Sequence, residues 1–173
     1  ARNDDPAADV AAAVFGDGMS SPLLSELRER RGLVYHAACG ADRYDAFGQF
    51  AVEASIAPDK QGEVLRELMR LLAQLAGSTG AVDLERARNQ LAVRLLRDLD
   101  RPSRRMEQAA LDLFALGRVR TAAELLARIE AVSGADVSDV VQRMLAAGVS
   151  LALTGSLGRA ASERARACLL LAA

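Results

Sequence analysis

The chain has no tryptophan, one histidine, one lysine and two cysteines in 173 residues. Each scarcity excludes a class of chemistry. A catalytic zinc site needs about three protein ligands and a structural one about four. The lone His36 cannot complete either, and neither HExxH nor HxxEH occurs in the sequence. A Ser–His–Asp set would also have to use His36, and no GxSxG turn precedes it. Cys39 lies three residues beyond His36 in a segment that reads as strand, so the two side chains face opposite ways and form no thiol–imidazole pair. Cys39 and Cys168 make no CxxC motif and define no redox compartment. The net charge of −1 argues against a nucleic-acid binder, which is normally basic. No apolar run reaches the roughly 18 residues of a membrane span, and the closest, ACLLLAA at the end of the chain, is too short. No signal peptide is visible, yet the first residue is Ala1, so the sequence reads as a piece of something longer.

What is present suits a helical core. Hydrophobic residues make up 51% and aromatics 3%, so Ala, Leu and Val must fill the interior of one domain. The excess of arginine over the single Lys60 reads as a base bias in the genome, and the mixing of arginine with Asp and Glu reads as solvated helix faces. Pro6 can start an alanine-rich helix running to Gly16. DGMSS is a turn, Ser21 can cap the next helix with Pro22 in its first position, and Gly32 stops that helix. Leu23, Leu24 and Leu27 share one face of it.

LVYHAAC and FGQFAVEASIA follow, and the second alternates Phe50, Val52, Ala54 and Ile56 against Gln49, Ala51, Glu53 and Ser55. That is a half-buried strand in an antiparallel hairpin. Five helices come next. The first carries Val64, Leu65, Leu68, Leu71, Leu72 and Leu75 on one stripe, the second breaks near Pro102, and capping boxes at Thr121–Glu124 and Ser133–Asp136 open the last two. GVSLALTG reads as a final strand. The expected fold is α+β, an antiparallel sheet with helices packed on one face. The expected division is a domain over residues 1–155 and a helical or loose tail over 156–173.

Two polar groups stand out, Arg28 on the last turn of the short helix and Tyr35 on the strand after Gly32. A guanidinium offers a fixed fork of donors that stays charged, and a phenol offers one hydroxyl donor. Two readings are open. The pair is a packing contact worth about 0.5–1 kcal/mol, which the residues alone favour. Or it is a pair of donors for a carbonyl oxygen that becomes negative in a transition state. FGDGMS resembles a phosphate-binding glycine loop but lacks the lysine and the preceding strand, so it reads as a turn.

FGDGMSSPLLSELRERRGLVYHA resembles the segment that opens the C-terminal domains of pitrilysin-type zinc metallopeptidases, the inverzincin family that includes insulin-degrading enzyme and mitochondrial processing peptidase. The family pattern is roughly GGGMSSRLFxxLRExxGLxY. DLERARNQLAVRLL and IEAVSGADVSDVVQRML carry the likeness on to about residue 155. Asp17 departs from a common Gly, and Pro22 from a frequent Arg.

The resemblance implies a metallohydrolase-like half of the LuxS and processing-peptidase kind, one strand short at its start. It implies two homologous domains facing each other, with HxxEH and zinc on the other one. Arg28 and Tyr35 fall at the family's seven-residue spacing. By that likeness Tyr35 donates to the tetrahedral oxyanion and Arg28 holds a substrate backbone carbonyl, in trans to the zinc domain. The implied whole is a zinc metalloendopeptidase whose zinc sits in the partner domain, while this fragment alone holds no metal and is inactive. The partners implied are the zinc-bearing N-terminal domain or a homologous subunit, and a peptide substrate. A catalytically inactive scaffold subunit of the same family is the alternative. A plain binding or dimerisation domain that pairs through an open strand edge ranks last. The compartment, cytoplasm or periplasm, stays open.

Overall fold

The computed structural model describes residues 5–43 and 47–155, together with residues 163, 165 and 167. Its organising element is helix α1, Ala7–Gly16. Five alanines, two valines and a phenylalanine give it good helix propensity and no polar face past Asp9. A helix apolar all round has to be covered on every side. Val10, Val14 and Phe15 are fully enclosed, and strand β1 (Val34–Arg43), helix α4 (Ala81–Leu99) and helix α7 (Gly134–Ala146) pack on it.

β1 pairs antiparallel with β2, Gly48–Ile56, in a two-stranded sheet. The ladder reaches Arg43 opposite Gly48, so β1 is four residues longer at its end than LVYHAAC suggests. Val34 and Ala37 are buried, and Phe50, Val52 and Ile56 pack into the same core. His36, Glu53 and Ser55 are exposed on the hairpin's other side. The helices therefore cover one face of the sheet, in the expected α+β arrangement. Phe15 and Phe50 meet at 6.3 Å between ring centres, tying α1 to β2.

Helix α3, Gln61–Gly77, buries Val64, Leu65, Leu71, Leu72 and Leu75, the stripe read from its spacing. Its last carbonyls are capped by α7. The Ser138 hydroxyl donates to the Leu75 carbonyl at 3.1 Å, and the Gln142 amide to that of Ala76 at 2.8 Å. Helix α5, Pro102–Leu116, follows the break at Pro102. Helix α6, Ala122–Ala131, and α7 open with the capping boxes at Thr121–Glu124 and Ser133–Asp136.

Two expectations are corrected. Residues 148–155 form no strand. The alternation of Val149, Leu151 and Leu153 suits one, but a strand needs a partner edge. Leu153 instead packs with Leu65 of α3 and with Ala165, while Val149 and Leu151 stay exposed. The second correction concerns the arginines. Arg86 donates to the carbonyls of Val14 and Asp17, and Arg88 to that of Val132. These are caps on the ends of α1 and α6 rather than solvated side chains. Most of the tail expected over 156–173 lies outside the described residues.

Two close fits generate stability predictions. A Cβ built on Gly16 would lie 2.4 Å from the Cβ of Cys39, so α1 meets β1 with no side chain between them. Gly16→Ala is expected to destabilise the domain by about 1–3 kcal/mol, read as a lower denaturation midpoint; an unchanged midpoint would contradict this packing.

Asp112 is 1% exposed and accepts from the Arg120 guanidinium at 2.6 Å, the Arg120 amide at 2.9 Å and the Gln108 amide at 2.8 Å. The Arg120 guanidinium holds its carboxyl below the usual carboxylate range, against the opposing effect of burial. Breaking the pair with Asp112→Ala is expected to cost about 3 kcal/mol, the low end for a buried ion pair. A depressed carboxyl contributes fully above its unfolded value of about 3.9 and is lost as pH falls through the folded value. Stability measured by denaturant titration should fall on acidification below about pH 4, and Asp112→Asn should flatten that fall.

Candidate functional site

The site begins at a register slip. Val34 lies opposite Ile56, yet His36 lies opposite Ser55, so Tyr35 is an extra residue in β1, a β-bulge. A bulge re-aims the side chains around it. Here it lets Val34 and Ala37, three positions apart, both face the core. It also leaves Tyr35 standing out of the sheet, 87% exposed. Among the described residues, the Tyr35 hydroxyl has no partner.

The other half of the site comes from the helix before β1. Ser21 caps its start, its hydroxyl accepting from the Leu24 amide at 3.4 Å. The first turn, α2, is Pro22–Leu24, and from Ser25 to Arg30 the helix widens to π geometry. The Arg31 amide accordingly bonds the Glu26 carbonyl at 3.2 Å. Leu23 and Leu27 are fully buried and fix the inner face. Gly32, at φ +58°, takes the left-handed conformation that closes the helix, and the Leu33 amide returns to the Leu27 carbonyl at 2.7 Å. Single π turns are frequent at functional sites. No residue pattern marks this one, because its apolar spacing also fits an α-helix.

Arg28 projects from the π turn with its side chain 43% exposed. It reaches the Met19 sulfur at 3.7 Å and Glu29 at 3.7 Å, both weak contacts. The neighbouring arginines are differently engaged. Glu26 pairs with Arg30 at 3.1 Å and Arg31 at 3.0 Å, and Arg31 also reaches the buried Glu67 of α3 at 3.3 Å. Arg31 and Arg30, in that order, hold the Glu26 carboxyl below its usual range. This network ties the π turn to α3 and leaves Arg28 outside it.

The loop before Ser21 is fixed from α4. Arg86 holds the carbonyls of Val14 and Asp17, Arg94 pairs with the Asp17 carboxylate, and Gln90 lies against Gly18, which has φ +84°. That clamp sets Met19 beside Arg28. Sequence reasoning missed Arg86, Gln90 and Arg94. Their signal, three polar residues at helical spacing in α4, also fits an ordinary wet helix face.

Arg28 and Tyr35 thus stand on either side of the Gly32 reversal, exposed and lightly engaged. No hydrogen bond or ring contact joins them among the described interactions, so the packing-contact reading finds no support. A cleft of about 660 Å³ flanks the π turn and is lined by Ser25, Glu26, Arg30 and Arg31 rather than by this pair. The donors among the described residues do not fit zinc. His36 is exposed on β1, while Cys39 packs against the core, and burial pushes its thiol up to about 12. Among the described residues no group of three His, Cys, Asp or Glu side chains could hold a metal. No described helix is long and apolar enough to cross a membrane.

Comparison with known proteins places this geometry. The family model described as the peptidase M16 inactive domain matches residues 2–91, just over half the chain and the part that carries Arg28 and Tyr35. The chain belongs to that family. The M16 inactive domain is 27% identical over 146 residues to an uncharacterized zinc protease of Rickettsia bellii, covering 84% of this chain and 35% of the relative. It is 29% identical over 142 residues to the alpha subunit of mitochondrial-processing peptidase from Caenorhabditis elegans, covering 82% and 28%. Among solved structures, a conserved protein from Enterococcus faecalis V583 superposes with a TM-score of 0.72 at 26% identity, over 79% of this chain and 32% of that one. A Helicobacter pylori protease shares the fold, with a TM-score of 0.68 at 21% identity over 81% and 34%. The M16 inactive domain spans about a third of the length of these relatives.

One chemical consequence is direct. A thiol held near 12 carries almost no thiolate at neutral pH. Iodoacetamide at pH 8 should leave Cys39 unmodified in the native M16 domain and label it after denaturation, as read by peptide mapping. Rapid native labelling of Cys39 would contradict its burial.

Proposed function

We propose that this domain is the non-zinc half of a zinc metalloendopeptidase, closing a substrate chamber over a zinc-bearing domain or subunit. In this reading residues 1–155 form the domain. The Tyr35 hydroxyl donates to the oxygen of the scissile carbonyl as it becomes negative, and Arg28 donates to a backbone carbonyl of the bound peptide. The zinc and the water it activates belong to the partner.

The observation that carries the reading is the unpartnered Tyr35 hydroxyl, 87% exposed at a bulge. A tyrosine kept for packing would bury its ring. Four other arginines, Arg30, Arg31, Arg86 and Arg94, hold carboxylates or carbonyls, whereas among the described residues Arg28 meets only a thioether and an exposed neighbour. The family supports the same direction, since relatives with this domain are named zinc protease and subunit of a processing peptidase.

The test is peptide turnover by the domain assembled with its zinc-bearing half. Tyr35→Phe is expected to lower kcat by about 10²–10³, the usual loss for one oxyanion donor. The thermal midpoint should stay put, because the hydroxyl bonds none of the described residues. Unchanged turnover would remove the catalytic role and leave the scaffold-subunit reading in its place.

A further inference from the structure

We infer that Met19 is an oxidation site whose sulfoxide captures Arg28. The Met19 side chain is 53% exposed, and its sulfur already accepts from Arg28 Nη1 at 3.7 Å. A thioether is a weak acceptor, so this contact leaves the guanidinium available. Peroxide changes the acceptor. The peroxide O–O bond breaks, one oxygen forms an S–O bond with the Met19 sulfur, and the other oxygen leaves as water. The sulfur loses two electrons and the peroxide gains them. The product carries a polar oxygen on the atom that already faces Nη1. A hydrogen bond from a guanidinium to such an oxygen is charge-assisted and roughly twice as strong as a neutral one.

The surroundings favour this site over Met69 and Met144. Met69 is 5% exposed and Met144 is half-buried against the core, so both are less accessible than Met19. Met106 is 71% exposed on α5 and serves as an internal control, distant in sequence from Arg28. Met19 cannot drift away from Arg28 easily. Its loop is clamped by Arg86 on the Asp17 carbonyl, and the Ser21 amide returns to the Gly18 carbonyl at 3.0 Å. The functional consequence rests on the reading of Arg28 given above: a captured guanidinium no longer meets a peptide carbonyl, and the enzyme is switched down until the sulfoxide is reduced.

The experiment exposes the chain to dilute hydrogen peroxide. Peptide mass spectrometry follows each methionine, and NMR follows the Arg28 Nε–Hε signal. Met19 and Met106 should convert well before Met69. The Arg28 signal should shift in the wild type and in Met106→Leu, and stay fixed in Met19→Leu. In the assembly with the zinc-bearing half, turnover should fall by about tenfold and return after treatment with methionine sulfoxide reductase. An Arg28 signal unmoved at full conversion of Met19 would overturn the proposal, as would a Met19 that stays reduced while Met106 oxidises. A shifted signal with unchanged turnover would uphold the capture and count instead against Arg28 as a substrate ligand.

Discussion

The constraint on which the rest depends is the reversal at Gly32. One residue in the left-handed conformation, closed by the Leu33 amide on the Leu27 carbonyl, turns a helix straight into a strand. Leu27 on one side and Val34 on the other are buried, so the reversal cannot shift without opening the core. The π turn and the β-bulge are adjustments on either side of it. Each lets an inner face stay packed while one side chain, Arg28 or Tyr35, is sent outward. Irregular backbone of this kind persists only where surrounding packing over-determines it. Here the packing comes from α1, which is buried from Val10 to Gly16 and crosses β1 at the bare Gly16.

Charge does structural work that composition alone conceals. An overall balance near neutrality looks like a uniformly solvated surface. In the fold, α4 uses Arg86 and Arg88 to cap two other helices, and Asp112 with Arg120 closes the turn after α5. Arginine suits these tasks because its planar fork reaches two acceptors at once and never loses its proton. Arg28 is set apart from that pattern. Its neighbours Arg30 and Arg31 are drawn into the Glu26–Glu67 network, which leaves the Arg28 side chain with weak contacts to Met19 and Glu29.

Much of this was legible from the residues. Ser21–Pro22, Gly32, the hairpin, the leucine stripe of α3 and both capping boxes follow local rules, and local rules survive into the fold. The failures have a common cause. The strand expected at residues 148–155 required a partner that no periodicity can reveal. The π turn shares its leucine spacing with an α-helix, and the bulge at Tyr35 is a fact about two strands, invisible in either one. The caps from α4 are contacts across 44 to 72 residues of sequence. The candidate pair itself was found by its residue types and by likeness to a family, and the fold adds that both members are exposed and unspent.

The account stands or falls on where those two side chains point when a peptide is present. The most direct measurement is a crystal structure of this domain assembled with the zinc-bearing half we propose for it, around a peptide that mimics the tetrahedral intermediate. The account requires the Tyr35 hydroxyl on the oxyanion and the Arg28 guanidinium on a backbone carbonyl of the same peptide. A peptide bound in the chamber with both groups still facing solvent would contradict it.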